Sequence, residues 1–212
     1  MSGLIMGVLT ALGWATAYIL IIRRGFLEKT YGVPMVALVG NIVWEFLFGF
    51  FIRPPGSEPI NLWTIINVTW FCIDLVIFWQ MLKFGVNEKW HSKRFFYSSI
   101  VITVIFALGA ELALTYQLSD WEGQYTSFID NLIMSILFIN LLYSRGVRGQ
   151  SIYIAISKMI GTLAISIDYL VSYPTAPLQW YLSGAILFFD LLYTGLLYAK
   201  LREVKINPWA RL

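Results

Sequence analysis

Six carboxyl side chains interrupt stretches of sequence that are otherwise apolar: Glu45, Asp74, Glu111, Asp130, Asp168 and Asp190. An ionised, unpartnered carboxylate at the centre of a membrane helix costs roughly 2.5 kcal/mol or more, so these side chains should face a shared interior. Burial penalises the charged form of a carboxyl group. Some of the six are therefore expected to be neutral, and a neutral carboxylic acid in a dry pocket can donate a proton. Aromatic residues accompany them. Trp44 adjoins Glu45, Trp70 and Phe78 flank Asp74 by one helical turn each, and Tyr193 follows Asp190 by one turn. An aromatic face stabilises a cation by roughly 0.5 to 2 kcal/mol, which suits a pocket that generates and carries a carbocation. The competing account is structural: polar side chains bind membrane helices together, and Trp and Tyr crowd membrane interfaces. Trp63, Trp121, Trp180 and Trp209 fit the interface account, whereas Trp44 and Trp70 lie deeper in their segments. Glu111, Asp130 and Asp168, close to segment ends, lean toward the interhelical one.

Several chemistries are missing. The sequence has no Asp-Asp-x-x-Asp cluster or Asn/Ser/Glu triad that would hold magnesium on a diphosphate, and no Asp-x-Asp-Asp motif. His91 is the single histidine and Cys72 the single cysteine, which leaves histidine triads, thiolate metal sites and internal disulfides unsupported. No phosphate-binding loop or dinucleotide fingerprint is present. Neither cofactor nor metal is expected.

The elements that position the acids follow from composition. Of the 212 residues, 58% are hydrophobic and 13% charged, against about 25% charged in soluble domains. Apolar runs of spanning length cover 3–22, 33–52, 62–82, 95–118, 125–143, 152–173 and 178–199. The fold class expected is all-α, a polytopic membrane protein of seven transmembrane helices, with residues 1–212 as one membrane domain. Breaks are expected at Arg23-Arg24-Gly25, Pro54-Pro55-Gly56, Asn87-Glu88-Lys89, Asp120-Trp121-Glu122-Gly123, Arg145-Gly146 and 174–177. The first run is too long for a signal-peptide core and has no basic stretch before it, so it is read as a retained helix.

Thirteen of the fifteen Lys and Arg residues fall in the loops after the first, third and fifth segments and in the tail after the seventh. Arg53 alone lies in an alternate loop, and Lys158 lies inside the sixth segment. Positive charge marks the cytoplasmic side, so the amino terminus should be non-cytosolic and the carboxyl terminus cytosolic. On that topology Glu45, Glu111, Asp130 and Asp168 lie in the outer half, with Asp74 and Asp190 nearer the middle. Lys158 sits about one and a half turns from the cytosolic end, close enough to snorkel. The net charge of +3 is accounted for by these flanking bases, so the expected partners are the bilayer and a small-molecule substrate, not nucleic acid. A candidate three-one-three repeat relates segments one to three to five to seven. Arg24-Gly25 and Gly40 align with Arg145-Gly146 and Gly161, and Asp74-Leu75 aligns with Asp190-Leu191 when the preceding loop is shortened by five residues. Parallel repeats occur in membrane folds, and chance similarity of apolar segments is the alternative.

Specific motifs narrow the reading. Leu12-Gly13-Trp14, Thr30-Tyr31-Gly32, Asn41-Ile42-Val43-Trp44-Glu45, Lys83-Phe84, Asn87-Glu88, Arg148-Gly149-Gln150-Ser151 and Phe189-Asp190-Leu191-Leu192-Tyr193 occur in order along nearly the whole chain. In these the sequence resembles the integral-membrane terpene cyclases of fungal meroterpenoid and indole-diterpene biosynthesis, typified by the pyripyropene and paxilline cyclases. It departs from the family pattern after Ser151 and lacks the longer amino-terminal extension of fungal members. The resemblance implies protonation of a terminal epoxide or alkene on a prenylated aromatic, indole or related isoprenoid substrate, followed by ring closures. It also implies that the two essential acids are Glu45 and Asp190, in an endoplasmic reticulum membrane if the source is fungal and a plasma membrane if bacterial. Glu45 is read as the acid, because Asn41 one turn earlier can orient it, and Asp190 as a second acid or the terminal base. The reverse assignment stays open. Asn41, Asp74, Glu111, Trp44, Trp70 and Tyr193 are the supporting residues. Intramembrane acids and a repeat also describe a proton-coupled small-solute transporter of seven-helix type. No Pro-Gln dipeptide favours that alternative, and Lys200 lies too near the segment end for a retinal Schiff base.

Overall fold

A computed structural model describes residues 2–58, 60–88 and 90–212. Lys89, one of the bases counted above, lies outside the described residues. The chain is all-α, without a strand among the described residues: α1 (Ser2–Glu28), α2 (Met35–Phe50), α3 (Leu62–Phe84), α4 (Lys93–Leu118), α5 (Gln124–Arg145), α6 (Ile152–Ser172) and α7 (Pro177–Glu203). Six of these helices are long and apolar enough to cross a membrane, and α2 is a shorter apolar helix of 16 residues. Pro34 precedes α2, and Pro54-Pro55 follow it closely; neither proline fits the interior of a helix. Helix starts are capped as the sequence allows. The side chains of Asn61, Ser92 and Ser151 accept hydrogen bonds from the backbone N–H of Thr64, Phe95 and Tyr153, and Pro177 opens α7. Leu4, Ile19, Val101, Phe106 and Val171 are exposed, as lipid-facing side chains would be.

One expected break is absent. α1 runs through Arg23-Arg24-Gly25 to Glu28. Glu28 is the reason: its carboxylate accepts from Arg24 at 3.0 Å and from Arg211 at 2.7 Å, so Arg24 stabilises the last turn and does not end it. The helix stops at Lys29, whose φ is 49°, and Thr30 N–H returns to the Gly25 carbonyl.

The helices cluster into two compact units, one of residues 33–134 and one of 1–32 with 135–212. In the first, α2 packs on α3 and α4. In the second, α6 packs on α1 and α7, and α1 comes very close to α6. A Cβ placed on Gly13 would stand 2.6 Å from the Gly161 Cα, and one on Gly161 would stand 2.8 Å from Trp14 Cδ1. Small residues permit this backbone approach. Gly161→Ala is therefore expected to separate the two helices and lower stability by about 1 to 3 kcal/mol; an unchanged unfolding temperature in detergent would contradict it.

Candidate active site

In the unit of residues 33–134, α2 and α3 bring three polar side chains together. The Asn41 Nδ2 donates to Glu45 Oε1 at 3.2 Å and to Asp74 Oδ2 at 2.9 Å. One amide thus bridges two carboxyl groups through its two hydrogens. Glu45 and Asp74 are 3% and 1% exposed. The one-turn spacing of Asn41 and Glu45 puts them on the α2 face toward α3, and Asp74 meets them from across. Asn67, two turns before Asp74 on the same face, is also buried, and its Nδ2 has no hydrogen-bond partner among the described residues. The sequence reading passed over Asn67, although its seven-residue spacing from Asp74 was a visible signal.

Trp44 is buried next to Glu45 in α2, and its orientation is fixed from the connection between α4 and α5. Its indole N–H donates to Thr126 Oγ1 at 2.9 Å, and Thr126 donates in turn to Asp120. Asp120 also accepts from the backbone N–H of Gln124 and Thr126, each at 2.8 Å, and so caps α5. Gly123, at φ 71°, lies against the Trp44 ring, where a Cβ would come within 2.6 Å. Trp63, expected as an interface anchor, meets Trp44 edge to face at 6.3 Å. Trp70 is half-buried one turn before Asp74.

Glu111 on α4 meets a different acid. Its carboxyl group interacts with that of Asp130 on α5, whose oxygens lie where a Cβ on Gly40 would be 3.2 and 3.4 Å away. Asp168, by contrast, lies in the other unit beside Gly3, whose Cβ would be 3.2 Å from Oδ1.

In the unit of residues 1–32 and 135–212, Asp190 is 2% exposed and paired with Lys158. The Lys158 Nζ donates to both Asp190 oxygens, at 2.8 and 3.0 Å, and to Ser135 Oγ at 2.8 Å. It is itself 2% exposed, with the Trp14 ring centroid 5.7 Å away. Lys158 does not snorkel; its ammonium turns inward to a carboxylate within hydrogen-bond reach. Asp190 also borders a small cavity with Met159, Thr162, Leu163, Ser166, Ser183, Ile186 and Leu187. Tyr193 is buried against Phe138, and its hydroxyl donates to Gln150 at 2.8 Å.

That bond connects Tyr193 to the segment Arg148-Gly149-Gln150-Ser151, which turns out to be a clamp. Arg148 donates to the carbonyls of Glu28 and Lys29 at the end of α1, and Gly149 N–H donates to the Glu28 carboxylate. Ser151 caps α6 and donates to the Arg211 carbonyl. Arg145 packs on the Tyr31 ring at 4.0 Å. Two motifs far apart in the sequence are thus one structural joint.

The chain as a whole has counterparts among known proteins. Residues 3–203 match the family described as Pyr4-like transmembrane terpene cyclases. The chain belongs to this family. It is 31% identical over 183 residues to the Pyr4-family terpene cyclase mfmH of Annulohypoxylon moriforme, covering 80% of this chain and 73% of that one. Identity to asnovolin H synthase nvfL of Aspergillus novofumigatus is 26%, over 96% of this chain and 88% of the relative. For the terpene cyclase ascF of Acremonium egyptiacum it is 28%, over 87% and 77%. No solved structure matches the chain. As a Pyr4-like cyclase the protein is a multi-pass membrane enzyme that cyclises terpenoids, with an isoprenoid-type substrate, and the transporter reading is not favoured.

Proposed function

We propose that this cyclase opens the epoxide, or protonates the alkene, of a prenylated aromatic, indole or related isoprenoid with a proton from Glu45, without diphosphate ionisation. The observation that carries this reading is the Asn41 amide held between Glu45 and Asp74. Asn41 is neutral, so it orients Glu45 without demanding that Glu45 be charged, as a general acid requires. Transfer of the Glu45 proton to epoxide oxygen forms an O–H bond as the C–O bond breaks. The cation left on carbon is attacked by the next alkene, and loss of a C–H proton to a carboxylate closes the sequence. Trp44 and Trp70 accompany the acids of one unit and Tyr193 accompanies Asp190 in the other, each able to stabilise positive charge. Asp74 and Glu111 support the donor.

The test is turnover by protein purified into lipid, given an epoxidised farnesyl or geranylgeranyl aromatic, with the ring product identified. The absence of diphosphate-binding motifs implies full activity after thorough chelation. Loss with EDTA and recovery with magnesium would remove the protonation mechanism.

The thirteen flanking bases support a non-cytosolic amino terminus and a cytosolic carboxyl terminus. A carboxyl-terminal tag should accordingly be cleaved by protease added to the cytosolic side of sealed vesicles; a protected tag would reverse the topology.

A further inference from the structure

The partners of Asp190 suit its charged form. An ammonium has three hydrogens and no acceptor, and the three oxygens around Lys158 Nζ, two from Asp190 and one from Ser135, take one each. With Ser135 Oγ as the third contact, the two Asp190 oxygens at 2.8 and 3.0 Å give every ammonium hydrogen an acceptor and leave no carboxylate oxygen without a donor. Both side chains are buried, and their contacts suit an ammonium and carboxylate pair. A carboxylate in this state can take a proton and has none to give.

The cavity beside it supplies the second observation. It is lined by the carboxylate and the hydroxyl-bearing side chains Thr162, Ser166 and Ser183, and encloses about 180 Å³, including its open side. Its enclosed part is at the lower limit of the space that a single water molecule needs. Ser183 Oγ already accepts from Gln179 Nε2 at 3.2 Å, which leaves its hydrogen to be given elsewhere. The candidate three-one-three register relates these polar positions to those around Glu45. The register that carries Gly40 onto Gly161 carries Asn41 and Glu45 onto Thr162 and Ser166; the register shortened by five residues carries Asn67 and Asp74 onto Ser183 and Asp190. All four residues that correspond to the polar group around Glu45 line the Asp190 cavity. In one unit that position holds a carboxylic acid beside an amide, and in the other hydroxyls beside a carboxylate beside an ammonium.

We propose that Lys158 is a positioning residue that holds Asp190 as a carboxylate, and that the Thr162, Ser166 and Ser183 cavity binds a water molecule on it, making this a proton-accepting site. The inference rests on the protonation reading above for its use in the reaction: Asp190, directly or through that water, takes the proton released when the C–H electron pair forms the final alkene. The charge state itself is independent of that reading.

Infrared difference spectroscopy of the full chain in lipid at neutral pH tests it. Subtracting Asp190→Asn from the native protein should reveal a carboxylate stretch, and a water O–H band that moves when the solvent is exchanged to H2(18)O should disappear with it. Ser166→Leu, which fills the cavity, should remove the water band and keep the carboxylate. In Lys158→Met the carboxylate stretch should give way to that of a protonated acid, with turnover reduced about 100-fold or more. A protonated acid at position 190 in the native protein, or a carboxylate that survives Lys158→Met, overturns the assignment. An 18O-insensitive spectrum overturns the water site. These readings need no substrate, so they stand even if the epoxide assay above fails.

Discussion

Glu45→Gln should insert, fold and bind substrate, and leave the epoxide closed. The glutamine amide oxygen can still accept the hydrogen bond that Asn41 gives Glu45 at 3.2 Å, and its size is nearly that of the native side chain, so the link from Asn41 to Asp74 survives. What is lost is the proton. General acid catalysis contributes a factor of about 100 to 10,000, and turnover should fall by at least the lower figure, with unreacted substrate recovered. Glu111→Gln is the control. It also removes an intramembrane acid, but one that meets Asp130, and only a modest loss is expected from it. Near-normal turnover by folded Glu45→Gln would transfer the donor role to another acid, with Asp74 the first to examine because it shares the Asn41 amide.

The helices and the acids were legible because both are written locally. Apolar runs of spanning length give α1 and α3 to α7, and a carboxyl group in such a run stands out by type alone. The one-turn spacing of Asn41 and Glu45 even gave their hydrogen bond. Pairings across helices were not legible. Lys158 and Asp190 lie on different helices, and in a membrane protein both the lipid-facing and the buried side of a helix are apolar, so the sequence pattern does not say which way Lys158 points. Nothing local distinguishes a lysine that snorkels from one that reaches inward. For the same reason the sequence offered Glu111 and Asp130 as two separate acids. The break expected at Arg23-Arg24-Gly25 failed on a longer-range contact still: the last turn of α1 is held by Glu28, whose partner Arg211 is almost at the other end of the chain. The motif 148–151 carried the family resemblance, but the residues themselves do not disclose that it joins the ends of α1 and α6 to the carboxyl-terminal tail.

The buried pair at Asp190 separates stability from chemistry in a way that single substitutions do not. Asp190→Asn leaves the Lys158 ammonium, 2% exposed, beside a neutral amide. Removing one partner of a buried ion pair typically costs about 3 to 5 kcal/mol, whereas replacing both by apolar side chains of similar volume is often neutral or stabilising by about 1 to 4 kcal/mol. The single variant should therefore unfold at a clearly lower temperature than the native protein in the same detergent. Its loss of cyclisation would then have two causes that cannot be told apart. The double variant Lys158→Met with Asp190→Leu removes the ambiguity. It keeps side chains of comparable size at the α6 and α7 contact and leaves no charge behind, so it should unfold at or above the native temperature. Ser135 loses only a neutral hydroxyl's partner, a cost of about 1 kcal/mol. Cyclisation should nevertheless be abolished or end in unterminated and water-quenched products, because no carboxylate remains at position 190. A stable double variant that makes the native product at the native rate would reduce the pair to a structural cross-brace and remove Asp190 from the reaction.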